Sequence, residues 1–246
     1  MTIELWSLAD RPDLLAAAED LTGALYPVYM QHDTVSNACW SLLYGEHLAR
    51  YQTIATDEGV VIAYGNSVPF FWPEGQELPD DGWDAVLRDG TADAEGERRA
   101  NALSALSIVV APSHRGSALA DRMLEAMKEA ARANGLEALV APVRPTRKAD
   151  YPLQSFEDYC SWQTPDGAPF DPWVRKHWRL GARILKAAPR SMVIPGTLAQ
   201  WQDWAGLRFP VSGKYAFAGG LAPLDVDVEG DSAVYVEPNL WMQHQI

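Results

Sequence analysis

Apolar positions along the chain change period several times, and the changes mark out alternating strands and helices. Ile3 to Leu8 reads as a first strand. From Pro12 to Tyr26, residues Leu14, Leu15, Ala18, Leu21 and Leu25 recur at helical spacing, and Pro27 ends the run. Leu42, Leu43, His47 and Leu48 carry a second helix expected over 35–50. Strands over 51–56 and 59–71 follow, joined at the turn signal Asp57-Glu58-Gly59. Residues 102–111 are almost all apolar or small, as in a strand covered on both faces. Leu119, Met123, Ala126, Met127 and Ala130 then form the stripe of an amphipathic helix that Asn134-Gly135 stops. Leu136 to Ala141 is the next strand, closed by Pro142, and the two parallel strands with their helix make a right-handed βαβ unit.

Other stretches interrupt this order. Residues 73–100 hold Pro, Gly and nine acidic side chains around Trp83-Asp84-Ala85-Val86-Leu87, and are expected to form a long mobile loop or lid. Residues 144–170 are rich in Pro and aromatics, which suits a loop and short helix over a pocket. Asp171-Pro172 is an N-cap and first-position proline for a helix over 173–180 that ends at Gly181, and strand resumes at 183–186. The remainder reads as a helix over 197–207 and strands over 215–218, 221–228 and 233–236. The last two meet at Glu229-Gly230-Asp231, where Gly230 takes the left-handed conformation. Trp201, Trp204 and Trp241 are expected packing anchors.

Composition narrows the class. With 246 residues and 48% hydrophobic content the chain can bury a real core. A net charge of −13 disfavours a nucleic-acid partner, which would need a basic face. No apolar run reaches the ~18 residues of a membrane span. Cys39 and Cys160 stand far apart with no second pair and no His at metal spacing, so neither a metal nor a disulfide framework is expected. With no basic, apolar leader at Met1, the expected compartment is the cytoplasm.

The most informative stretch is Val110-Ala111-Pro112-Ser113-His114-Arg115-Gly116-Ser117-Ala118-Leu119-Ala120. A strand passes through a proline turn and a small-residue loop directly into the amphipathic helix. Small residues let the backbone approach a ligand, and the unpaired N–H groups of a first helical turn suit a phosphate. Neither a Gly-x-x-x-x-Gly-Lys-Ser/Thr run nor a Gly-x-Gly-x-x-Gly run is present, which sets aside triphosphate and dinucleotide loops. No Gly-x-Ser-x-Gly elbow occurs either.

This stretch resembles the acyl-CoA motif of the GNAT acyltransferase superfamily, in which Val-x-Pro is followed by Arg/Gln-x-x-Gly-x-Gly/Ala. Val110-Ala111-Pro112 matches the first part and Arg115 to Ala120 the second, with Ala118 where the family usually has its first Gly. The resemblance implies an α/β fold with a mixed, splayed central sheet, helices on both faces and here a β-rich C-terminal extension. It divides the chain into an acyl-CoA-binding core over 1–190, with insertions at 73–100 and 144–170, and an extension over 191–246 packed on the core. It also implies acyl-CoA as co-substrate, without a metal. Ile108, Val110, Arg115, Gly116, Ser117, Ala118, Leu119 and Ala120 would hold it, and a small-molecule or peptide amine would attack the thioester directly. In the family a tyrosine four residues before a helix-ending Gly protonates the departing thiolate. That position is His177 here, with Tyr159 as the next candidate. The base stays open among Glu46, His47 and the acids of 73–97. The basic groups Arg144, Arg147, Lys148, Arg175, Lys176 and Arg179 suit CoA phosphates, an acidic substrate or pairing with 73–97. A non-catalytic acyl-CoA-binding module is the alternative, and a homodimer is left open.

Overall fold

A computed structural model describes residues 2–246. The chain runs β1 (Ile3–Ser7), α1 (Leu15–Leu25), α2 (Thr34–Cys39), β2 (Thr53–Asp57), β3 (Val60–Phe70), α3 (Gly82–Glu95), β4 (Ala102–Val110), α4 (Leu119–Ala133) and β5 (Ala138–Val143). After these come α5 (Phe156–Ser161), α6 (Pro172–Arg179), β6 (Arg183–Gly196), α7 (Leu198–Ala205), β7 (Gly213–Tyr215), β8 (Leu224–Asp227) and β9 (Ser232–His244). One mixed sheet takes the order β1-β2-β3-β4-β5-β9-β8-β7, with β6 on the other edge of β9. The period-two alternation of β2 explains why helices cover both faces. Ile54 and its partner Tyr64 pack with Leu14 and Ala18 around α1, whereas the adjacent Ala55 packs with Leu119 and Met123 of α4.

The feature that positions the site is a parting of parallel strands. β4 pairs with β5 only from Ala102 to Ser104, opposite Ala138 to Val140, although β3 follows β4 along its length. Beyond Ser104 and Val140 the two strands diverge. On its far side β5 pairs with Leu240 to His244 of β9, while β8 pairs with Ser232 to Val234 of the same strand. The edge of β9 between these contacts, at residues 235–239, carries Glu237 and Asn239 between the two partners. The boundary at 190/191 falls inside β6, and β9, from the extension, completes the sheet beside β5.

Several expectations need correction. The helix expected over 35–50 is broken: α2 ends at Cys39, a 3-10 turn spans Trp40–Tyr44, and another spans Ala49–Tyr51. Gly45, in extended conformation, interrupts the run. The acidic stretch is no mobile loop, because α3 buries Trp83, Val86, Leu87 and Gly90 on one side. Gly90 is there for packing: a Cβ would lie 2.6 Å from Val68 Cγ2 and 2.9 Å from the Pro69 carbonyl oxygen. β6 continues ten residues past Lys186, to Gly196, and β9 runs to His244 where a strand ending at 236 was expected. At the 229–231 turn Asp231, with φ 45°, takes the left-handed conformation and Gly230 does not.

Candidate active site

A cavity of about 820 Å³ opens where β4 and β5 part. Ala105 to Val110 line one side and Ala141 to Arg144 the other. One end reaches Arg115, Gly116, Ala120 and Leu124 at the start of α4. The far end is walled by Ser36, Trp40, Trp83, Met192 and Asn239, and Trp173 and His177 of α6 line it as well.

Alternation along β4 sets which backbone groups face this space. Ala111 N–H donates to the Ile62 carbonyl at 2.8 Å, so position 111 faces β3. Ile108 and Val110 then present their N–H groups to the parted side. In agreement, the Val110 carbonyl accepts from Arg115 Nε at 3.4 Å, outside the ladder. Leu106, skipped where the β3–β4 register shifts, accepts from Trp83 Nε1 at 3.0 Å.

Of the loop residues, Arg115, Gly116 and Ala120 line the cavity, as do Ile108 and Val110. Gly116 has φ +75°, a conformation a side chain disfavours, and a Cβ built there meets nothing within 4 Å. Ser117 braces the turn, donating to the His114 carbonyl at 2.6 Å and accepting from Leu119 N–H at 3.2 Å. Ala118 stands at the N-cap of α4 without a side-chain cap, and the Leu119 side chain lies in the core, 1% exposed. These three bring backbone to the helix start rather than side chains to the cavity.

His177 is buried in α6, 2% exposed. Its Nδ1 lies 2.9 Å from Nε2 of His244 on β9, and Trp173 meets the ring edge-on at 4.7 Å. Its Nε2 has no hydrogen-bond partner. Burial, with His244 and the cations Lys128 and Lys176 nearby, pushes His177 down to about 3. Burial and Lys128 push His244 down to about 4. Both rings are neutral at pH 7, whereas an unfolded imidazole titrates near 6.5. The unfolded chain therefore binds more protons below about pH 6.5, and stability present above that pH is lost as it falls. The melting midpoint should decline between about pH 7 and pH 5. A His177→Gln, His244→Gln double variant should decline less steeply, and equal slopes in thermal melts would contradict the account.

Other candidate residues are engaged elsewhere. Tyr159 donates to Asp171 Oδ2 at 2.8 Å inside an aromatic cluster with Tyr151, Trp162 and Phe170, away from the cavity. Glu46 and His47 are exposed on the turn after Gly45. Asp84 is the one fully buried acid of the 73–97 stretch. The basic groups pair locally: Arg147 with Asp150, Lys176 with Asp121, and Lys148 with the carbonyls of Tyr151 and Leu221. Arg144 joins Glu237 at 2.9 Å, and its Nη2 donates to Tyr29 Oη and the Gly219 carbonyl. Burial opposes the Arg144 charge, but Glu237 and the two tyrosines Tyr29 and Tyr235 offset this and hold its pKa above the usual range. Among the described residues no group of three or more His, Cys, Asp or Glu gathers as for a metal ion, and no helix is long and apolar enough to cross a membrane.

The model of the Acetyltransferase (GNAT) family matches residues 14–153. An arginine N-acetyltransferase, avaD of Aspergillus versicolor, is 35% identical over 98% of this chain and 93% of its own length. The chain belongs to the GNAT acetyltransferase family. It is an enzyme that moves an acyl group from acyl-CoA to an amine, and the alternative of a non-catalytic binding module is not favoured. Two solved structures share the fold. The loading GNATL domain of CurA from Lyngbya majuscula has TM-score 0.58 and 17% identity, covering 100% of this chain and 98% of its own. The GphF GNAT-like decarboxylase in complex with isobutyryl-CoA has TM-score 0.53 and 18% identity, covering 100% and 99%. The parted, mixed sheet with its β-rich extension is thus a GNAT sheet.

Ser36 with Trp40, Trp83, Met192 and Asn239 come from four separate stretches of chain. No local motif joins them. The one available signal was Asp84, an acid inside an apolar helical face.

Proposed function

We propose that this GNAT enzyme transfers an acetyl group from acetyl-CoA to arginine. The observation that carries the reading is the continuity of one cavity from the Arg115–Gly116 loop, through the parted strands, to a wall of Trp40 and Trp83 with buried acids behind it. Similarity to an arginine N-acetyltransferase over nearly the whole chain supports that acceptor. In this reading the pyrophosphate rests on the backbone of 115–120. Pantetheine lies along β4, where the N–H groups of Ile108 and Val110 hold it and polarise the thioester carbonyl as charge builds on its oxygen.

The acceptor nitrogen attacks the thioester carbon from the Trp40–Trp83 side. His177 enters as a neutral imidazole, since burial keeps it uncharged. Its unpartnered Nε2 takes the proton released as the C–N bond forms and returns it to sulfur as the C–S bond breaks. The acceptor reacts as the neutral amine, its ammonium proton having passed to water; from there no further proton is gained or lost, and the products are the N-acetyl compound and CoA thiol. His244, bonded to Nδ1, holds the ring in place. The free cysteines Cys39 and Cys160 suit a cytoplasmic enzyme, and the acidic chain suits a small-molecule acceptor rather than nucleic acid.

Thiol release from acetyl-CoA, followed with L-arginine, L-lysine and glycine as acceptors, tests the reading. L-Arginine should give the highest kcat/KM. Release with L-arginine no faster than without an acceptor would overturn it.

A further inference from the structure

Two buried carboxylates beside the cavity are used by neither the cofactor loop nor the imidazole pair. Asp33, 0% exposed, caps α2: its Oδ1 accepts from Ser36 N–H at 2.6 Å. Asp84, 6% exposed, lies in the first turn of α3, and its Oδ2 accepts from Val193 N–H at 3.1 Å. In each case the second oxygen, Asp33 Oδ2 and Asp84 Oδ1, is buried with no hydrogen-bond partner. Neither carboxylate has a salt-bridge partner among the described residues. Arg144, the cation on the cavity wall, is engaged by Glu237. Arg88, whose charge reaches Asp84, is exposed and pairs with Asp89.

Neither group lines the cavity itself, but each stands directly behind residues that do, at its far end. Ser36, Trp83 and Met192 line that end. Ser36 is held by Asp33, Trp83 precedes Asp84, and Met192 precedes the residue whose N–H Asp84 accepts. Trp40 and Trp83 stack beside them at 5.8 Å, and indole faces favour a cation. Burial, and then the charge of Asp33, push Asp84 up to about 8, so near pH 7 it holds a proton that an arriving cation would displace. Ionising Asp84 beside Asp33 without a counter-charge is costly, and a ligand that brings the charge relieves it.

We infer that Asp33 and Asp84 together receive the cationic end of the acceptor, a planar guanidinium, at the Trp40–Trp83 wall. A guanidinium has five N–H donors in a fixed fork, enough to satisfy both free oxygens at once. A neutral group of the same shape gains hydrogen bonds there but leaves the charges uncompensated. The inference rests on the reading of arginine as acceptor and assigns the side chains that select it.

The test uses Asp33→Asn and Asp84→Asn. Asparagine keeps the amide-accepting oxygen that each position uses on Ser36 or Val193, and it remains a good N-cap at 33. CoA-loaded parent and variants are titrated calorimetrically with L-arginine and with L-citrulline, its neutral isostere. Each variant should lose arginine affinity by about 10–100-fold while citrulline stays within about threefold. Arginine affinity within about twofold of the parent overturns the inference, and so does an equal loss for both ligands, the mark of a structural role. Parallel titrations with agmatine separate this inference from the arginine reading. If the parent binds agmatine but not arginine, and the variants lose agmatine, the carboxylate pair stands and the arginine reading falls. If the parent binds arginine and the variants bind it unchanged, the reverse holds. A parent that binds neither overturns both.

Discussion

Replacing His177 with alanine is expected to lower turnover by about 10²–10⁴-fold while leaving acetyl-CoA affinity nearly unchanged. The expectation rests on two placements. His177 lines the cavity, its buried Nε2 has no hydrogen-bond partner, and His244 fixes its other nitrogen at 2.9 Å. Truncation removes the proton carrier and also leaves a void in the packed interior, so His177→Gln serves as a second variant that keeps most of the volume. Both should fold, bind acetyl-CoA and turn over slowly. A rate within about twofold of the parent in either would remove His177 from the proton path.

Replacing Gly116 with valine should abolish tight acetyl-CoA binding without unfolding the protein. At φ +75° a β-branched residue is strained, at an order of 1–3 kcal/mol. A Cβ at this position meets no protein atom within 4 Å, so the valine branch starts in the open space the phosphates would enter. Affinity measured by calorimetry should fall at least about tenfold, with Gly116→Ala intermediate. Unchanged affinity in the valine variant would place the pyrophosphate elsewhere.

The contrast between the two ends of this cavity explains what the sequence discloses. The Arg115–Gly116 end is local: Pro112, Gly116 and the stripe of Leu119, Met123 and Met127 follow one another, and their chemistry is legible without a fold. The spacing to Gly181 points to His177, but its partner His244 lies 67 residues away and only the β9 ladder brings it near. The acceptor end is long-range in the same way, so no spacing announces it.

Missed elements have equally physical causes. The apolar alternation that marks β9 stops at Val236 because Glu237-Pro238-Asn239 breaks it, although the strand runs on to His244. Pro238 sits where the β6 register slips and β9 is changing partners from β8 to β5, so its missing N–H costs no ladder bond. α3 was hidden by its acids, although Trp83, Val86, Leu87 and Gly90 fall at helical spacing on its buried side. Over 35–50 the apolar periodicity was real, but tertiary packing resolved it into short 3-10 turns around Gly45.

The most direct test of the account is a crystal structure of the enzyme with CoA and L-arginine bound together. The pyrophosphate should lie on the backbone of 115–120 and pantetheine along Ile108 and Val110 between β4 and β5. The sulfur should lie within about one water's span of His177 Nε2, and the arginine should lie between the sulfur and the Trp40–Trp83 wall. CoA bound outside the parting of β4 and β5, or arginine bound away from that wall, would contradict it.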